Sequence, residues 1–115
     1  VHAVNGIEVG TEQVWNYASN YRLPKIIVVN GLDKEHTQFD KILQQAKSNF
    51  GSNVFPLQLP VNAGPGFNQV VDVLRSELIT YSTDGSGKYS EEKLPEEWQE
   101  KIKELHEELI EYVAE

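Results

Sequence analysis

Lys25-Ile26-Ile27-Val28-Val29 is a run of β-forming residues that reaches Asn30 without a polar break, and Asp33 follows three positions later. A continuous apolar run of this kind suits a strand covered on both faces, as in a parallel sheet. Ligands of such sheets collect at the carboxyl ends of the strands, so Asn30 and Asp33 stand where a small molecule is read. Asn both donates and accepts, whereas an ionised Asp takes two N–H donors at once. A purine edge with a carbonyl beside an N–H/NH₂ pair, which is guanine, matches that combination. As a bare four-residue pattern, N-x-x-D is more often a strand ending in an Asx turn before a helix.

The length of 115 residues suffices for a single domain with one core. Ten basic residues against 18 acidic ones leave a formal charge of −8. That excludes the basic footprint of a sequence-specific nucleic-acid binder and fits a basic protein partner or plain solubility. There is no cysteine, hence neither a disulfide framework nor a thiolate metal site. No signal-peptide core, no apolar run of membrane-spanning length and no N-x-S/T sequon occurs, so a cytoplasmic protein without a membrane partner is expected. The chain has no Met and begins with Val1 inside an expected strand, which reads as a piece of something longer.

Val1–Val4 is expected to end a short strand, with Asn5-Gly6 turning out of it. Thr11 suits an N-cap, Glu12 places charge in the first turn, and Val14, Trp15, Ala18 and Tyr21 recur at helical spacing before Pro24. Strand, helix and strand within about 30 residues make a βαβ unit. Thr37 with Asp40 forms a weak capping pair. Phe39, Ile42, Leu43, Ala46 and Phe50 then define an apolar face closed by Gly51. The two Phe residues on this face are core rather than a cofactor box.

Val54–Val61 is extended, and its two prolines make it an edge strand or a strand ending in a loop. Asn62–Gly66 is a turn-rich connector, and its Gly-Pro-Gly lacks the following Lys-Ser/Thr of a phosphate cradle. Residues 67–81 fit a helix face or two strands. The turn at Asp84-Gly85-Ser86-Gly87, with Lys88-Tyr89-Ser90 returning from it, favours strands. From Pro95 the chain is helical to its end, with Trp98, Ile102, Leu105, Leu109, Tyr112 and Val113 as the buried stripe. Glu100, Glu104, Glu107, Glu108 and Glu111 lie on the opposite face, where like charges at i,i+4 repel. Such a face is either simply solvated or a docking surface for a basic partner, which relieves the repulsion.

Taken together, these segments resemble a known family. Val1–Val9 followed by Thr11-Glu12-Gln13-Val14-Trp15, and Leu23-Pro24 through Asp33, look like the second half of the GTPase domain of elongation factor G. Phe39-Asp40-Lys41, Pro56-Leu57-Gln58-Leu59-Pro60, Phe67–Leu74 and the run from Lys88 through Pro95 continue the resemblance over essentially the whole chain. It implies an α/β fold: a partial P-loop GTPase (Rossmann-like) parallel sheet in residues 1–53, carrying the guanine-specificity loop. Residues 54–115 would be an α+β G-prime insertion subdomain with a long acidic C-terminal helix.

The resemblance further implies a nucleotide loop made of Asn30, Gly31, Leu32 and Asp33. Asn30 would bond the imidazole side of the purine and steady the loop, and Asp33 would accept from guanine N1–H and N2–H₂. GTP or GDP, with Mg, would be bound by the parent protein, which drives ribosomal translocation in protein synthesis. Glu100, Glu104, Glu107 and Glu108 would face the basic C-terminal domain of the ribosomal stalk protein, making the ribosome the partner. One position departs from the family pattern Asn-Lys-x-Asp: Gly31 stands where the aliphatic stem of a Lys covers one face of the base. No G-x-x-x-x-G-K-S/T and no S-A-x loop occurs and no D-x-x-G loop is expected, so these residues alone are expected to bind no nucleotide tightly and to lack GTPase activity.

No catalytic residue is assigned. His2, His36 and His106 are too scattered for a metal cluster, and Asp72, among valines, is expected to bond nearby backbone or Arg75. Two further readings stay open: a non-enzymatic interaction module binding a basic ribosomal partner, and a ribosome-protection or release-factor GTPase of the same plan. An uncovered sheet edge would also permit self-association.

Overall fold

The computed structural model describes residues 1–114; Glu115, the last residue of the helix expected from Pro95 onward, lies outside the described residues. Two helices come first, α1 (Val9–Asn20) and α2 (Phe39–Phe50). Four strands follow, β1 (Gln58–Pro60), β2 (Gln69–Asp72), β3 (Glu77–Tyr81) and β4 (Tyr89–Lys93), and then α3 (Glu96–Ala114). The strands form one antiparallel sheet in the order β1-β2-β3-β4, so the molecule is a small mixed α/β structure. The segment left between helix and strands resolves as the two strands β2 and β3, and β1, with its proline, lies at the sheet edge as expected.

The pairing register builds the core. Leu59 lies opposite Val71, and Val71 opposite Leu78, so these three side chains form a row on one face of the sheet. Val73, Leu94 and Ile102 of α3 complete the buried cluster, and Phe39, Val61, Trp98 and Leu105 pack around it. Val71, Val73 and Ile102 are fully enclosed. Each such side chain contributes about 1.5–3 kcal/mol by leaving water. In the N-terminal half, Ala3, Ile42 and Ala46 are buried, and the expected apolar face of α2 points inward. Trp15 stacks on Phe50 with ring centroids 4.1 Å apart, joining α1 to the end of α2, and Lys25 Nζ lies 4.5 Å from the Trp15 ring.

Several expectations need correction. Residues 25–29 belong to no paired strand, and parallel pairing among the described residues is limited to a bridge between His2 and Asn30. Ile26 and Val28 are 83% and 68% exposed, while Ile27 and Val29 are half-buried, so this run is covered on one face rather than two. The strands downstream pair with one another in a separate antiparallel sheet, and no element among the described residues covers the second face. For the same reason α1 buries no residue completely, and Val14 and Tyr21 of its expected inner face are exposed.

The helix starts also shift. Glu8 and Gln38, rather than Thr11 and Thr37, occupy the N-cap positions of α1 and α2. Thr11 instead sits one turn in, its Oγ1 accepting from Glu8 N–H at 3.4 Å. Gly51 ends α2 as expected, its N–H donating to Lys47 O at 3.1 Å. The stripe on α3 is buried at Ile102 and half-buried at Trp98, Leu105 and Leu109, but Tyr112 and Val113 are exposed. A helix of 19 residues is about 28 Å long, whereas strands of three to five residues span only about 10–17 Å, so α3 outruns the sheet that covers it. Tyr112 packs instead on Phe55, with centroids 5.1 Å apart.

The turn between β2 and β3 carries a charged cluster. Asp72 Oδ1 accepts from Arg75 N–H at 3.0 Å, as anticipated for this residue, and Arg75 reaches Glu91 at 3.4 Å. Glu77 is half-buried, and its Oε2 has no hydrogen-bond partner among the described residues. Desolvation, with the neighbouring Glu91 charge next, raises its pKa above the ordinary 4.5. In the β3–β4 turn, hydrogen bonds from the Ser86 hydroxyl and amide hold Asp84 at about 2.

Two outcomes are expected from this packing. Ile102→Ala should lower unfolding free energy by about 2–5 kcal/mol in urea titrations, because it empties the centre of the core, whereas Glu104→Ala on the outer face should stay within about 0.5 kcal/mol. A carboxyl with a raised folded pKa favours folding below its unfolded value, and that contribution is lost as pH rises through the folded one. Glu77→Gln should therefore raise the urea midpoint at pH 7, and the gain should vanish below the ordinary 4.5.

Candidate functional site

The loop from Asn30 to Asp33 is positioned by backbone bonds on both sides. Asn30 N–H donates to Val1 O at 2.9 Å and Asn30 O accepts from Ala3 N–H at 2.8 Å, so the segment before the loop lies parallel to residues 1–3. Val1 N adds a bond to Val28 O at 3.1 Å. A tight turn follows, closed by Lys34 N–H donating to Gly31 O at 3.1 Å, with Leu32 and Asp33 at its centre. The chain thus reverses immediately after its apolar run, and Asn30 and Asp33 are both exposed.

A third tie comes from far along the sequence. Gly64 N–H donates to Leu32 O at 2.7 Å, joining the connector between β1 and β2 to the loop. The connector is itself stapled by Asn62, whose Oδ1 accepts from Gln69 N–H at 3.0 Å and Asn68 N–H at 3.2 Å, and whose Nδ2 donates to Asn68 Oδ1 at 2.8 Å. The Gly-Pro-Gly stretch therefore braces the loop by its backbone. Sequence reasoning assigned the connector no such part; its only visible signal was the density of turn residues.

Gly31 has φ +85°, in the left-handed region that glycine tolerates. A Cβ there would stand 3.2 Å from His2 Nε2. The imidazole of His2, one of three histidines that spacing alone left unconnected, thus lies against the loop. Of the others, exposed His36 lies 4.0 Å from the Glu35 carboxylate, and His106 Nδ1 meets Val73 O at 3.1 Å. Among the described residues no group of three or more His, Asp or Glu is placed to hold a metal ion.

The second group of predicted residues lies elsewhere. Glu100, Glu104, Glu107 and Glu108 are all exposed on α3, away from the Ile102 side. A hollow of about 350 Å³ lies between the start of α2, β1 and α3, lined by Asp40, Lys41, Trp98 and Lys101 among others. Another, of about 320 Å³, lies at Ser76, Leu94 and His106. Neither is lined by Asn30 or Asp33. The spelling D-x-x-G does occur, at Asp84–Gly87, but in the exposed β3–β4 turn, where Asp84 Oδ1 accepts from Ser86 N–H at 2.9 Å. No helix among the described residues is long and apolar enough to cross a membrane.

Comparison with known proteins gives one consistent result. The family described as the elongation factor Tu GTP binding domain matches residues 1–115. Elongation factor G of Amoebophilus asiaticus (strain 5a2) is 36% identical over 114 residues, which is 98% of this chain and 16% of that protein. An elongation factor G-like protein of Thermotoga maritima is 34% identical over 111 residues, 96% of this chain and again 16% of its own length. A crystal structure of a protein from Thermus thermophilus superposes with a TM-score of 0.81 at 29% identity, covering 96% of this chain and 16% of that one. The chain thus spans about a sixth of the length of the relatives it matches.

Proposed function

Because this chain belongs to the elongation factor Tu GTP-binding domain family, we propose that it carries the guanine-recognition segment and an outer docking subdomain of an elongation-factor-G-like translational GTPase. The observation that carries this reading is the loop 30–33: an apolar run held parallel to residues 1–3, then a sharp turn that leaves Asn30 and Asp33 exposed. Asp33 offers two acceptor oxygens to the N1–H and N2–H₂ of guanine, and Asn30 offers a donor and an acceptor to the other side of the ring. The uncovered side chains of Ile26 and Val28 support a further layer of the parent protein packed on this face of the run.

In the parent protein the nucleotide supplies a phosphoanhydride whose hydrolysis drives translocation on the ribosome. The residues here would orient the base, while groups for the phosphates and Mg lie outside these 115 residues. Docking belongs to residues 54–115. Helix α3 carries seven Glu against two Lys, and its acidic side is turned outward because Ile102 and its neighbours are buried against the sheet. Such a surface suits a basic partner, with the ribosomal stalk protein as the candidate. An interaction module without nucleotide binding is the second reading, favoured by the outward acidic side of α3 alone.

Two substitutions test these assignments separately. Asp33→Asn replaces one acceptor by a donor, so in the complete gene product GDP affinity should fall, and affinity for the 2-oxo analogue xanthosine diphosphate should rise, in titration calorimetry. Equal GDP binding by both proteins would remove Asp33 from the site and leave the interaction-module reading. Reversal of Glu104 and Glu108 to Lys should weaken binding of the stalk-protein C-terminal domain and flatten its salt dependence. Unchanged binding would make this face merely solvated.

A further inference from the structure

We propose that His2 is the residue that lies against the face of the base in the loop 30–33, taking the place of a side chain at position 31. This rests on the guanine reading of Asn30 and Asp33. The parallel bridge pairs His2 with Asn30, and residues in register on adjacent segments place their side chains side by side on one face. Both are exposed, so that face is open to a ligand.

The imidazole also occupies the space into which residue 31 would grow. A Cβ at that position would meet His2 Nε2 at 3.2 Å, Cδ2 at 3.5 Å and Cε1 at 3.6 Å. Space and the φ of +85° therefore agree on glycine, and the ring stands in for the missing side chain. The ring is oriented as well. Val4 N–H donates to its Nδ1 at 3.1 Å, so the neutral imidazole carries its proton on Nε2, on the side of Gly31. A planar ring held in this way provides a stacking surface for a purine, adding affinity without choosing among bases, and leaves the choice of guanine to Asp33.

A merely structural His2 would matter only as the acceptor for Val4 N–H, and two variants separate the roles. His2→Phe keeps a ring and loses the acceptor; His2→Asn keeps an acceptor near the position of Nδ1 and loses the ring. In titration calorimetry of the complete gene product with GDP, His2→Asn should weaken binding roughly five-fold or more, whereas His2→Phe should stay within about two-fold. Wild-type affinity in His2→Asn, or an equal loss in both variants, would overturn the proposal. Should either variant fail to melt cooperatively, the unsubstituted protein still decides: the His2 ring resonances should shift on GDP addition in NMR spectra, and a bound nucleotide that leaves them unmoved rules the contact out. If the unsubstituted protein shows no preference for GDP over ADP, the guanine reading itself has failed and the role of His2 falls with it.

Discussion

Two backbone hydrogen bonds, from Asn30 N–H to Val1 O and from Ala3 N–H to Asn30 O, determine where the loop 30–33 begins. Both engage the same residue, so Asn30 cannot rotate about its own backbone without breaking them. Everything proposed for the site follows from that anchorage. It sets His2 beside Asn30, makes the chain turn at Gly31, and brings Leu32 O within reach of Gly64 N–H. The loop is thus braced by two stretches distant in sequence, residues 1–3 and the connector at Gly64, and it is the backbone that makes most of the ties. Side chains at Asn30 and Asp33 are left exposed because the surrounding groups satisfy the main chain without them.

The antiparallel sheet and α3 form a unit with different logic. Its cohesion comes from the row Leu59, Val71 and Leu78 meeting Ile102, a hydrophobic contact that needs no residue of the first 38. Phe39 at the start of α2 packs against this cluster and so couples the two halves. An acidic surface on α3 follows from geometry: a helix with its apolar stripe against a sheet turns its remaining positions to solvent, and here those are largely Glu. The charge cluster at Asp72, Arg75, Glu77 and Glu91 joins the β2–β3 turn to the middle of β4 and serves local order rather than the site.

Several elements were legible because their causes are local. The face of α2 reads directly from the spacing of Phe39, Ile42, Leu43, Ala46 and Phe50, and its end from Gly51. The Asp84–Gly87 turn and the edge position of β1 follow from glycine and proline chemistry. The helix starts were misplaced because Glu8 and Gln38 are poor N-caps by residue type, whereas Thr11 and Thr37 are good ones. Coverage of both faces of Lys25–Val29 follows only from the unbroken apolar run, and such a run does not say whether a covering layer is at hand.

Asn30 and Asp33 stand out in the sequence because the end of an apolar run and the donor and acceptor types of two side chains are properties of consecutive residues. The acidic face of α3 stands out for the same reason, through the period of a helix. The neighbours of the loop are a different matter. That His2 lies against Gly31, and that Gly64 bonds Leu32, depends on contacts between residues about 30 positions apart. No local propensity encodes such contacts; they exist only once the backbone has paired, and only the tertiary structure decided them.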